Sequence, residues 1–572
     1  MDCLSDSHSL IAYLSRRVCR VDVDDRRDTR KMWVISCFFY LSALIVYNNA
    51  GSVLIMPSSL FPVHRYTIRY LAQELIKRHH EVTWFEYGFD EPSVSLPAGV
   101  HEVFWRITLN DQSLRDLYLY RNHSIYRRIW DADFYDEAEQ TTAWMASIQL
   151  CDQLLSTRKA EFNELVAEKF DTVIVDDLYN PCGLLHTGLQ KSVFIYWSMT
   201  ALRTESAWAN QSPSPPSYLP VPGTGLTDEL NFWQRTFNMA SYLRAIYVHQ
   251  HLILRRMDNI FQTHYPNQVP EAFYLERNAS INFVNTPPIF DFARPYMPRV
   301  NFIGGLNCKK AKPLKGELAK FVNAADEKHG VILFTTGFTA QWKMAPKAVV
   351  DAFVNAFAER SEIRFVWQYN GAPIANLPSN IADICHHLIA GHPKTRAHIS
   401  HGGLNSVIES VWHGVPLIGF ALTARGYDNV LRVTARNAGV MLKKKNLSSR
   451  SILRVIDEIY KQKYKDEMAV FQDMVTDVPY TELNHSTFWV EFIQRHQEVP
   501  HARSGADQLN VLQYFLVDVI TFMLSVLFLT LTLIYYMLKL MFRFICFVCC
   551  RTSKQKKAAI EAKAKMIAKK TN

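Results

Sequence analysis

The chain has 572 residues, of which 48% are hydrophobic and 20% charged, and its formal net charge is +9. This length exceeds what a single hydrophobic core usually supports, so two or three domains are expected. A mean hydropathy of −0.08 and 13% aromatic residues exclude a disordered chain and a protein made mostly of membrane spans, and ten cysteines are too few for a disulfide-dense scaffold.

The beginning of the chain has the pattern of a targeting segment. Residues 1–31 are charged and without periodicity, so they are interpreted as an N-terminal extension. Residues 32–50 follow two basic residues and combine a short apolar core with a polar, small-residue end, which is typical of a signal peptide. An uncleaved anchor is the alternative, although the apolar core is short for a membrane span.

Residues 51–300 alternate strand and helix signals and are predicted to form a first α/β domain. Strands are predicted at 51–56, 81–85, 170–175 and 192–196, and helices at 66–78, 230–243 and 246–261. A Pro/Ser-rich loop at 211–222 separates the last strand from the last two helices. The β-loop-α-β opening is typical of a doubly wound, Rossmann-like domain.

Residues 301–510 are predicted to form a second Rossmann-like domain. A Gly-, Lys- and Pro-rich stretch at 301–313 is interpreted as the linker. Strands are predicted at 331–334, 363–368, 397–400 and 415–420, and a helix at 346–358. Two such domains are expected to bind a ligand in the cleft between the carboxyl ends of their strands.

The end of the chain predicts a single membrane span. Residues 515–538 are predominantly apolar, with one acidic residue, Asp518, and are long enough for a transmembrane helix. The tail at 539–572 holds ten basic residues and one acidic residue, which accounts for the whole net charge of the chain. The positive charge therefore predicts a cytosolic tail and a lumenal body, as in a single-pass type I protein, and gives no indication of nucleic-acid binding.

Two further patterns agree with this topology. The chain ends in Lys569-Lys570-Thr571-Asn572, which resembles the dilysine retrieval signal of endoplasmic-reticulum membrane proteins. Five glycosylation sequons lie in the predicted lumenal body, at Asn122, Asn210, Asn278, Asn446 and Asn484.

The most informative motif lies between residues 391 and 429. His401, Gly402 and Gly403 end a predicted strand and open a helix that continues through Glu409. Glycines at this point allow the backbone to approach an anion, and the helix N-terminus offers free N–H groups, an arrangement that suits a diphosphate. Glu409 is placed to bind ribose hydroxyls. On these residues alone, an ordinary strand-to-helix turn remains the alternative.

The spacing of the whole block, GHPKTRAHISHGGLNSVIESVWHGVPLIGFALTARGYDN, resembles the donor-binding signature of the UDP-glycosyltransferase family, and of the animal UDP-glucuronosyltransferases in particular. Other segments resemble the family in the same order, at 216–238, 291–306, 488–496 and 513–520. The resemblance implies a B-type glycosyltransferase fold, with the acceptor bound by the first domain and a UDP-sugar by the second. It also implies an inverting displacement that needs no metal and no cofactor besides the UDP-sugar co-substrate.

The resemblance assigns roles to individual residues. His64 is expected to be the catalytic base and Asp176 the acid that orients it, with Asp177 as the alternative. The expected donor-binding residues are His401, Gly402, Gly403, Asn405, Ser406, Glu409, Thr336, Gly337, His386 and Arg425.

The chain also departs from the family pattern. The Trp-x-Pro-Gln that stacks and reads the uracil is replaced by residues 383–386, where His386 offers at most one hydrogen bond. The Asp-Gln pair for sugar hydroxyls is replaced by Arg425 and Gly426, and Phe338 stands where a small hydroxyl residue is usual. Diphosphate and ribose recognition are therefore retained, whereas base and sugar recognition are altered.

Three interpretations follow. The chain is expected to be a glucuronosyltransferase-like enzyme that conjugates small lipophilic acceptors, as in detoxification, in the endoplasmic reticulum. The alternatives are a transferase that uses UDP-glucose or another hexose, and a catalytically impaired relative that binds lipophilic compounds. No metal site is predicted, because the cysteines lack ligand spacing, and a homo-oligomer is left open.

Overall fold

The computed structural model describes residues 50–118, 124–131, 137–338, 340–384, 390–445 and 447–569. The predicted N-terminal extension and nearly all of the predicted signal peptide lie outside these ranges. The chain divides into two compact units between Ala502 and Arg503.

A first parallel sheet forms the centre of the N-terminal half. Its strands are β1 (Ser52–Met56), β2 (Glu81–Gly88), β3 (His101–Arg106), β4 (Thr172–Asp176), β5 (Phe194–Ser198), β6 (Ile281–Val284) and β7 (Val300–Phe302). All seven are parallel, in the order β3-β2-β1-β4-β5-β6-β7. The central strands β1 and β4 are buried almost throughout, as expected of parallel strands covered by helices on both faces.

Helices cover both faces of this sheet. The helices of this half of the chain are α1 (Pro62–Lys77), α2 (Gln112–Tyr118), α3 (Ser124–Asp131), α4 (Glu137–Thr157), α5 (Lys159–Ala167), α6 (Pro181–Gln190), α7 (Thr204–Asn210), α8 (Phe232–Tyr247), a π-helical segment (Val248–Leu254), α9 (Arg255–His264) and α10 (Ala272–Arg277). In α1, Pro62 starts the helix and the spacing of Ile68, Leu71 and Leu75 buries one face against the sheet. A disulfide joins Cys151 in α4 to Cys182 in α6.

A second parallel sheet forms the centre of the following region. Its strands are β8 (Val331–Thr335), β9 (Arg364–Gln368), β10 (Ile381–Ile384), β11 (Thr395–Ser400), β12 (Leu417–Gly419) and β13 (Gly439–Met441), in the order β10-β9-β8-β11-β12-β13. Its helices are α11 (Gly316–Asn323), α12 (Lys347–Ala358), α13 (Leu404–Trp412), α14 (Ala424–Thr434), α15 (Ser449–Ile459) and α16 (Gln462–Thr476). The prediction of two α/β domains with parallel sheets is confirmed.

The helix that follows, α17 (Glu482–His496), returns to the first domain. Its Val490 and Ile493 are fully buried in the same hydrophobic cluster as Val53 of β1. Its outer side is tied to α1 because Arg78 donates hydrogen bonds to Glu491 (3.1 Å) and to Asn484 (2.7 Å). A helix from within the range predicted for the second domain, 301–510, therefore completes the core of the first.

The second compact unit contains α18 (Val511–Tyr514) and the 52-residue helix α19 (Val517–Ala568). Among the described residues, α19 is the one helix long and apolar enough to cross a membrane, judged by length and composition. It contains nearly all of the predicted span and continues through the basic tail. Lys570 to the end of the dilysine-type terminus lies outside the described residues.

Candidate active site

The structure brings His64 and Asp176 into direct contact. His64 lies in the first turn of α1, just after β1, and Asp176 is the last residue of β4. Because β1 and β4 are adjacent and parallel, their carboxyl ends meet at the same edge of the sheet. His64 Nδ1 is 2.6 Å from Asp176 Oδ2, and both residues are buried, with relative exposures of 3% and 1%.

Asp176 is held by the backbone as well as by the histidine. Its Oδ2 also accepts a hydrogen bond from the Ser58 N–H at 3.3 Å, and its Oδ1 accepts one from the Leu178 N–H at 3.0 Å. A carboxylate that accepts hydrogen bonds on both oxygens is fixed in position. It fixes the neutral imidazole with a proton on Nδ1, which leaves Nε2 with a free lone pair.

The neighbouring Asp177 has other partners. Its Oδ2 lies 2.8 Å from Arg203 Nη2 and accepts a hydrogen bond from Ser206 at 2.9 Å. Burial raises the pKa of Asp177 above its ordinary value, although the Arg203 guanidinium opposes the shift. The structure therefore pairs Asp176, and not the alternative Asp177, with His64.

His64 faces a cavity of about 310 Å³ that both domains line. The first-domain wall includes Phe61, His64, Tyr66, Leu178, Tyr179 and Met199. The second-domain wall includes Gly337, Phe338, His401, Gly402, Gly403, Asn405, Ser406, Glu409, Arg425 and Gly426. The first-domain side is largely apolar, and the second-domain side is rich in glycine and polar groups.

The glycine turn before α13 is required by its close packing. Gly402 has φ +88°, and a Cβ added there would lie 2.3 Å from the carbonyl oxygen of Gly426. A side chain at this position would displace the backbone of the first turn of α14. The turn leaves Gly403 and the first residues of α13 on the cavity wall, so the helix N-terminus faces the cavity as an anion site requires.

Glu409 lies on the same helix and also lines the cavity. Burial raises the pKa of its carboxyl to about 7. The carboxyl is therefore partly protonated near neutral pH, and it can form hydrogen bonds with the hydroxyl groups of a ligand.

Two predicted donor-binding side chains make hydrogen bonds within the protein. Asn405 donates to Thr67 Oγ1 at 2.7 Å and accepts from Asn285 at 2.9 Å, both in the first domain. It thus ties α13 to the first domain across the cleft. The Ser406 hydroxyl lies 3.2 Å from the hydroxyls of Thr335 and Ser400, so it belongs to a small hydroxyl cluster beneath the turn.

The loop after β8 carries two further predicted residues. The backbone N–H groups of Thr336 and Gly337 both donate to Gln368 Oε1, at 3.2 and 3.0 Å. Thr336 is buried, whereas Gly337 and Phe338 lie on the cavity wall. The Phe338 ring packs against Tyr66 of the first domain, with 5.6 Å between ring centroids.

Arg425 lines the cavity at the start of α14. It acts electrostatically on the half-buried Glu205: desolvation raises the pKa of that carboxyl, but Arg203, His249 and Arg425 together hold it below its ordinary value. Arg425 thus lies on the cavity wall within electrostatic reach of a carboxylate. His386, the last predicted donor-binding residue, lies outside the described residues.

The contacts that close the cleft could not be found from the sequence patterns. Arg432 Nε lies 2.7 Å from Asp291 Oδ1, and this buried ion pair joins α14 to the first domain. Asp428 accepts hydrogen bonds from the backbone N–H groups of Gly223 and Gly225 in the loop before α8. Trp130 of α3 inserts into the core of the second domain and donates to the Gln341 carbonyl at 3.2 Å.

The predicted glycosylation sites fall into three groups. Asn278 and Asn484 are exposed. Asn210 is 1% exposed and accepts a hydrogen bond from the Ser212 N–H, so its burial argues against a glycan there. Asn122 and Asn446 lie outside the described residues. Within the described ranges, no group of three His, Cys, Asp or Glu side chains converges on a point where a metal ion could bind.

Two Rossmann-like domains that face one cavity, with a His–Asp pair on one side and a glycine-flanked helix N-terminus on the other, define a B-type glycosyltransferase. Solved structures show the same fold. A complex of a UDP-glucosyltransferase from Polygonum tinctorium superposes with a TM-score of 0.54 and 16% identity, over 78% of this chain and 99% of that one. A complex of Phytolacca americana UGT2 with UDP-2fluoro-glucose and pterostilbene gives a TM-score of 0.52 and 16% identity, over 77% and 99%.

Residues 51–555 match the family model described as "UDP-glucoronosyl and UDP-glucosyl transferase", and the chain belongs to this family of UDP-sugar-dependent glycosyltransferases. It is 29% identical to human (Homo sapiens) UDP-glucuronosyltransferase 2B17, over 85% of this chain and 93% of the relative. It is 30% identical to rat (Rattus norvegicus) UDP-glucuronosyltransferase 2A1, over 84% and 92%. The family and the fold predicted from the sequence are confirmed.

Proposed function

We propose that this chain transfers a sugar from a UDP-sugar to a hydroxyl group of a small lipophilic acceptor, with His64 as general base and Asp176 as the residue that orients it. The single observation that supports this proposal is the buried His64–Asp176 pair, at 2.6 Å, on the wall of the cavity that the α13 N-terminus faces from the other domain. A base and an anion site on opposite walls of one cavity are what this displacement requires.

The proposed step is a single displacement. His64 Nε2 accepts the proton of the acceptor hydroxyl while the acceptor oxygen forms a bond to the anomeric carbon. The bond from that carbon to the diphosphate oxygen breaks, and UDP leaves with the electron pair. Attack opposite the leaving group inverts the anomeric configuration. Asp176 stabilises the imidazolium that forms and holds Nε2 toward the acceptor.

The proposed donor site uses the turn and helix of the second domain. The N–H groups at the start of α13, with His401, would bind the diphosphate and neutralise the charge that develops on it. Glu409 would accept hydrogen bonds from the ribose hydroxyls. Asn405 and Ser406, which make hydrogen bonds within the protein, would then support the turn instead of contacting the donor.

Glucuronate is the sugar that the charge of Arg425 favours. Arg425 lies on the cavity wall at the position where the family pattern has a carboxylate, and guanidinium groups bind carboxylates in a bidentate geometry. The similarity to UDP-glucuronosyltransferases supports the same sugar. UDP-glucose is the second candidate, because family members that use it share the fold. If Arg425→Ala lowers transfer from both donors equally, the proposed role of Arg425 is wrong.

The alternative function is that of a catalytically impaired relative that binds lipophilic compounds. One specific observation supports it, the replacement of the uracil-stacking motif at 383–386. Transfer assays with a panel of UDP-sugars test the active form. We expect product with the parent chain, none with His64→Ala, and parent-like rates with His79→Asn, a matched change at an exposed left-handed position that asparagine tolerates. UDP binding without transfer from any donor would favour the impaired relative.

We propose that the body lies in the lumen of the endoplasmic reticulum and that α19 anchors it. The Cys151–Cys182 disulfide suits an oxidising compartment, and the basic tail suits the cytosolic side. Glycans are then expected at the exposed sequons Asn278 and Asn484. Digestion with a glycosidase that removes N-linked glycans should lower the apparent mass of the parent chain and of Asn210→Gln equally. An unchanged mass of the parent would contradict the lumenal placement.

A further inference from the structure

One helix of the compact body exposes a continuous apolar face. In α8 the large apolar side chains Phe232, Trp233, Phe237, Met239, Leu243 and Tyr247 are 45–76% exposed, and Trp233 is the most exposed of them. Phe232, Met239, Leu243 and Tyr247 follow one another at intervals of seven, four and four residues, so they form a stripe along the helix. Trp233 and Phe237 form a second stripe beside it. We call these six side chains the α8 face.

The opposite side of α8 is firmly attached to the protein. Asn238 is fully buried, donates to the Leu219 carbonyl at 2.7 Å and accepts from the Val221 N–H at 2.8 Å. A capping box between Asn231 and Gln234 fixes the start of the helix. The helix is therefore held in a defined orientation by its polar side, and the α8 face is the side that remains outward. A contiguous exposed apolar surface of this kind marks an interaction site.

The charges around the α8 face indicate what covers it. Helix α8 contains two arginines, Arg235 and Arg244, and no aspartate or glutamate. By helical spacing Arg235 borders the stripe on the side away from Trp233, and Arg244 follows Phe237 by seven residues and so continues the second stripe. An apolar face with Phe, Trp and Tyr, accompanied by arginines, is the composition of helices that lie in the interface of a bilayer.

The chain also contains a helix that can anchor it to a membrane. The helix that can span a bilayer begins at Val517, shortly after the compact body ends at Ala502. A body tethered in this way stays close to the bilayer surface, so even weak contacts of the α8 face are formed at a high effective concentration.

From these observations we infer that α8 lies on the membrane surface, with its apolar face in the boundary between headgroups and acyl chains. The inference goes beyond the proposed catalytic function and does not depend on it. The inner side of α8 holds the loop that ends at Gly223 and Gly225, whose N–H groups bind Asp428 of the second domain. A membrane-bound α8 would thus hold this contact between the two domains near the lipids in which lipophilic acceptors dissolve.

The test uses the full-length chain in vesicles of phosphatidylcholine and phosphatidylserine whose acyl chains are brominated either near the headgroup or near the chain end. Bromine quenches tryptophan fluorescence on contact. The signal of Trp233 is the difference between the parent and Trp233→Phe, which keeps the apolar face. The matched control is Trp412→Phe, at a partly buried tryptophan on the second domain.

We expect the Trp233 difference signal to lose most of its intensity with bromine near the headgroup and less with bromine near the chain end, while the Trp412 signal does not change. Replacing Arg235 and Arg244 by glutamate should reduce the quenching of Trp233, and added salt should then restore part of the quenching, because salt screens the repulsion between glutamate and anionic lipids. An unquenched Trp233 signal would overturn the inference. A second result would also overturn it: the protein is a dimer in detergent, Trp233→Glu dissociates that dimer, and Trp233 of the parent stays unquenched in vesicles. A second copy of the chain would then cover the α8 face.

Discussion

Replacing Asp176 with asparagine tests the proposed catalytic pair most sharply, because the change removes a charge and keeps the shape. The amide oxygen can still accept from the Leu178 N–H, but the NH₂ group would face His64 Nδ1 in place of Oδ2. Nδ1 would then have to accept a hydrogen bond, so the ring proton would move to Nε2. The base would present an N–H where the reaction requires a lone pair.

The size of the effect follows from the lost interaction. A charge-assisted hydrogen bond to a buried group is worth about 1.5–3 kcal/mol, and the carboxylate also stabilises the imidazolium that forms. A combined loss of about 4 kcal/mol corresponds to a fall of about 10³-fold in kcat/KM. The measurement is steady-state transfer with the best donor found, with UDP affinity by calorimetry as a check that the donor site is intact.

The matched control is Asp177→Asn, one residue along the chain. Asp177 bonds to Arg203 and Ser206, and Arg203 keeps its contact with Glu205 at 2.6 Å. We expect this variant to melt at a lower temperature and to keep kcat/KM within about tenfold of the parent, because the lost ion pair does not touch the base. A rate for Asp176→Asn within about threefold of the parent, or a larger loss for Asp177→Asn, would refute the assigned pair.

Three further predictions concern charge, domain closure and the disulfide. Glu409→Gln should make UDP-sugar affinity independent of pH between about 6 and 8, where parent affinity rises with pH as the carboxyl with a pKa of about 7 ionises. Because burial raises that pKa from 4.5, the parent loses up to about 3 kcal/mol of stability as the pH rises from about 4.5 to about 7, so the variant should melt at a higher temperature than the parent at pH 8 and not at pH 5. Arg432→Ala should lower the melting temperature by several degrees, because Asp291 loses its ion-pair partner at 2.7 Å; an unchanged melting temperature would argue against the cleft contact. Cys182→Ser should destabilise the body by about 3 kcal/mol, and a reducing agent should lower the parent's melting temperature to that of the variant.

Much of the site could be predicted because the resemblance to the family assigned roles to its residues, and the strand pattern explains why they meet. His64 comes just after the first apolar run and Asp176 ends a later one, and parallel strands bring their carboxyl ends to one edge. The glycine turn at Gly402 could be predicted for a similar reason, since a strand that runs directly into a helix needs a residue that tolerates positive φ and close backbone approach. Each strand end and the glycine turn can be recognised within a short stretch of sequence.

The rest depends on contacts between distant segments. Its motif predicts that Asn405 binds the UDP-sugar, yet its side-chain amide donates a hydrogen bond to Thr67, which is 338 residues away in sequence. The return of α17 to the first domain shows no local signal, because an amphipathic helix does not specify which core it covers. The apolar pattern of α8 also does not reveal that the α8 face remains exposed, since the same pattern fits a buried helix.

The proposed function requires a UDP-sugar site in this cavity, and calorimetric titration of the full-length chain with UDP tests it most directly. It predicts one UDP bound per chain, an affinity that His401→Ala weakens by at least about tenfold, and an affinity that His64→Ala leaves unchanged, since the base lies on the acceptor side of the cavity. A folded chain that gives no heat with UDP, or one whose affinity is unaffected by His401→Ala, would contradict the account.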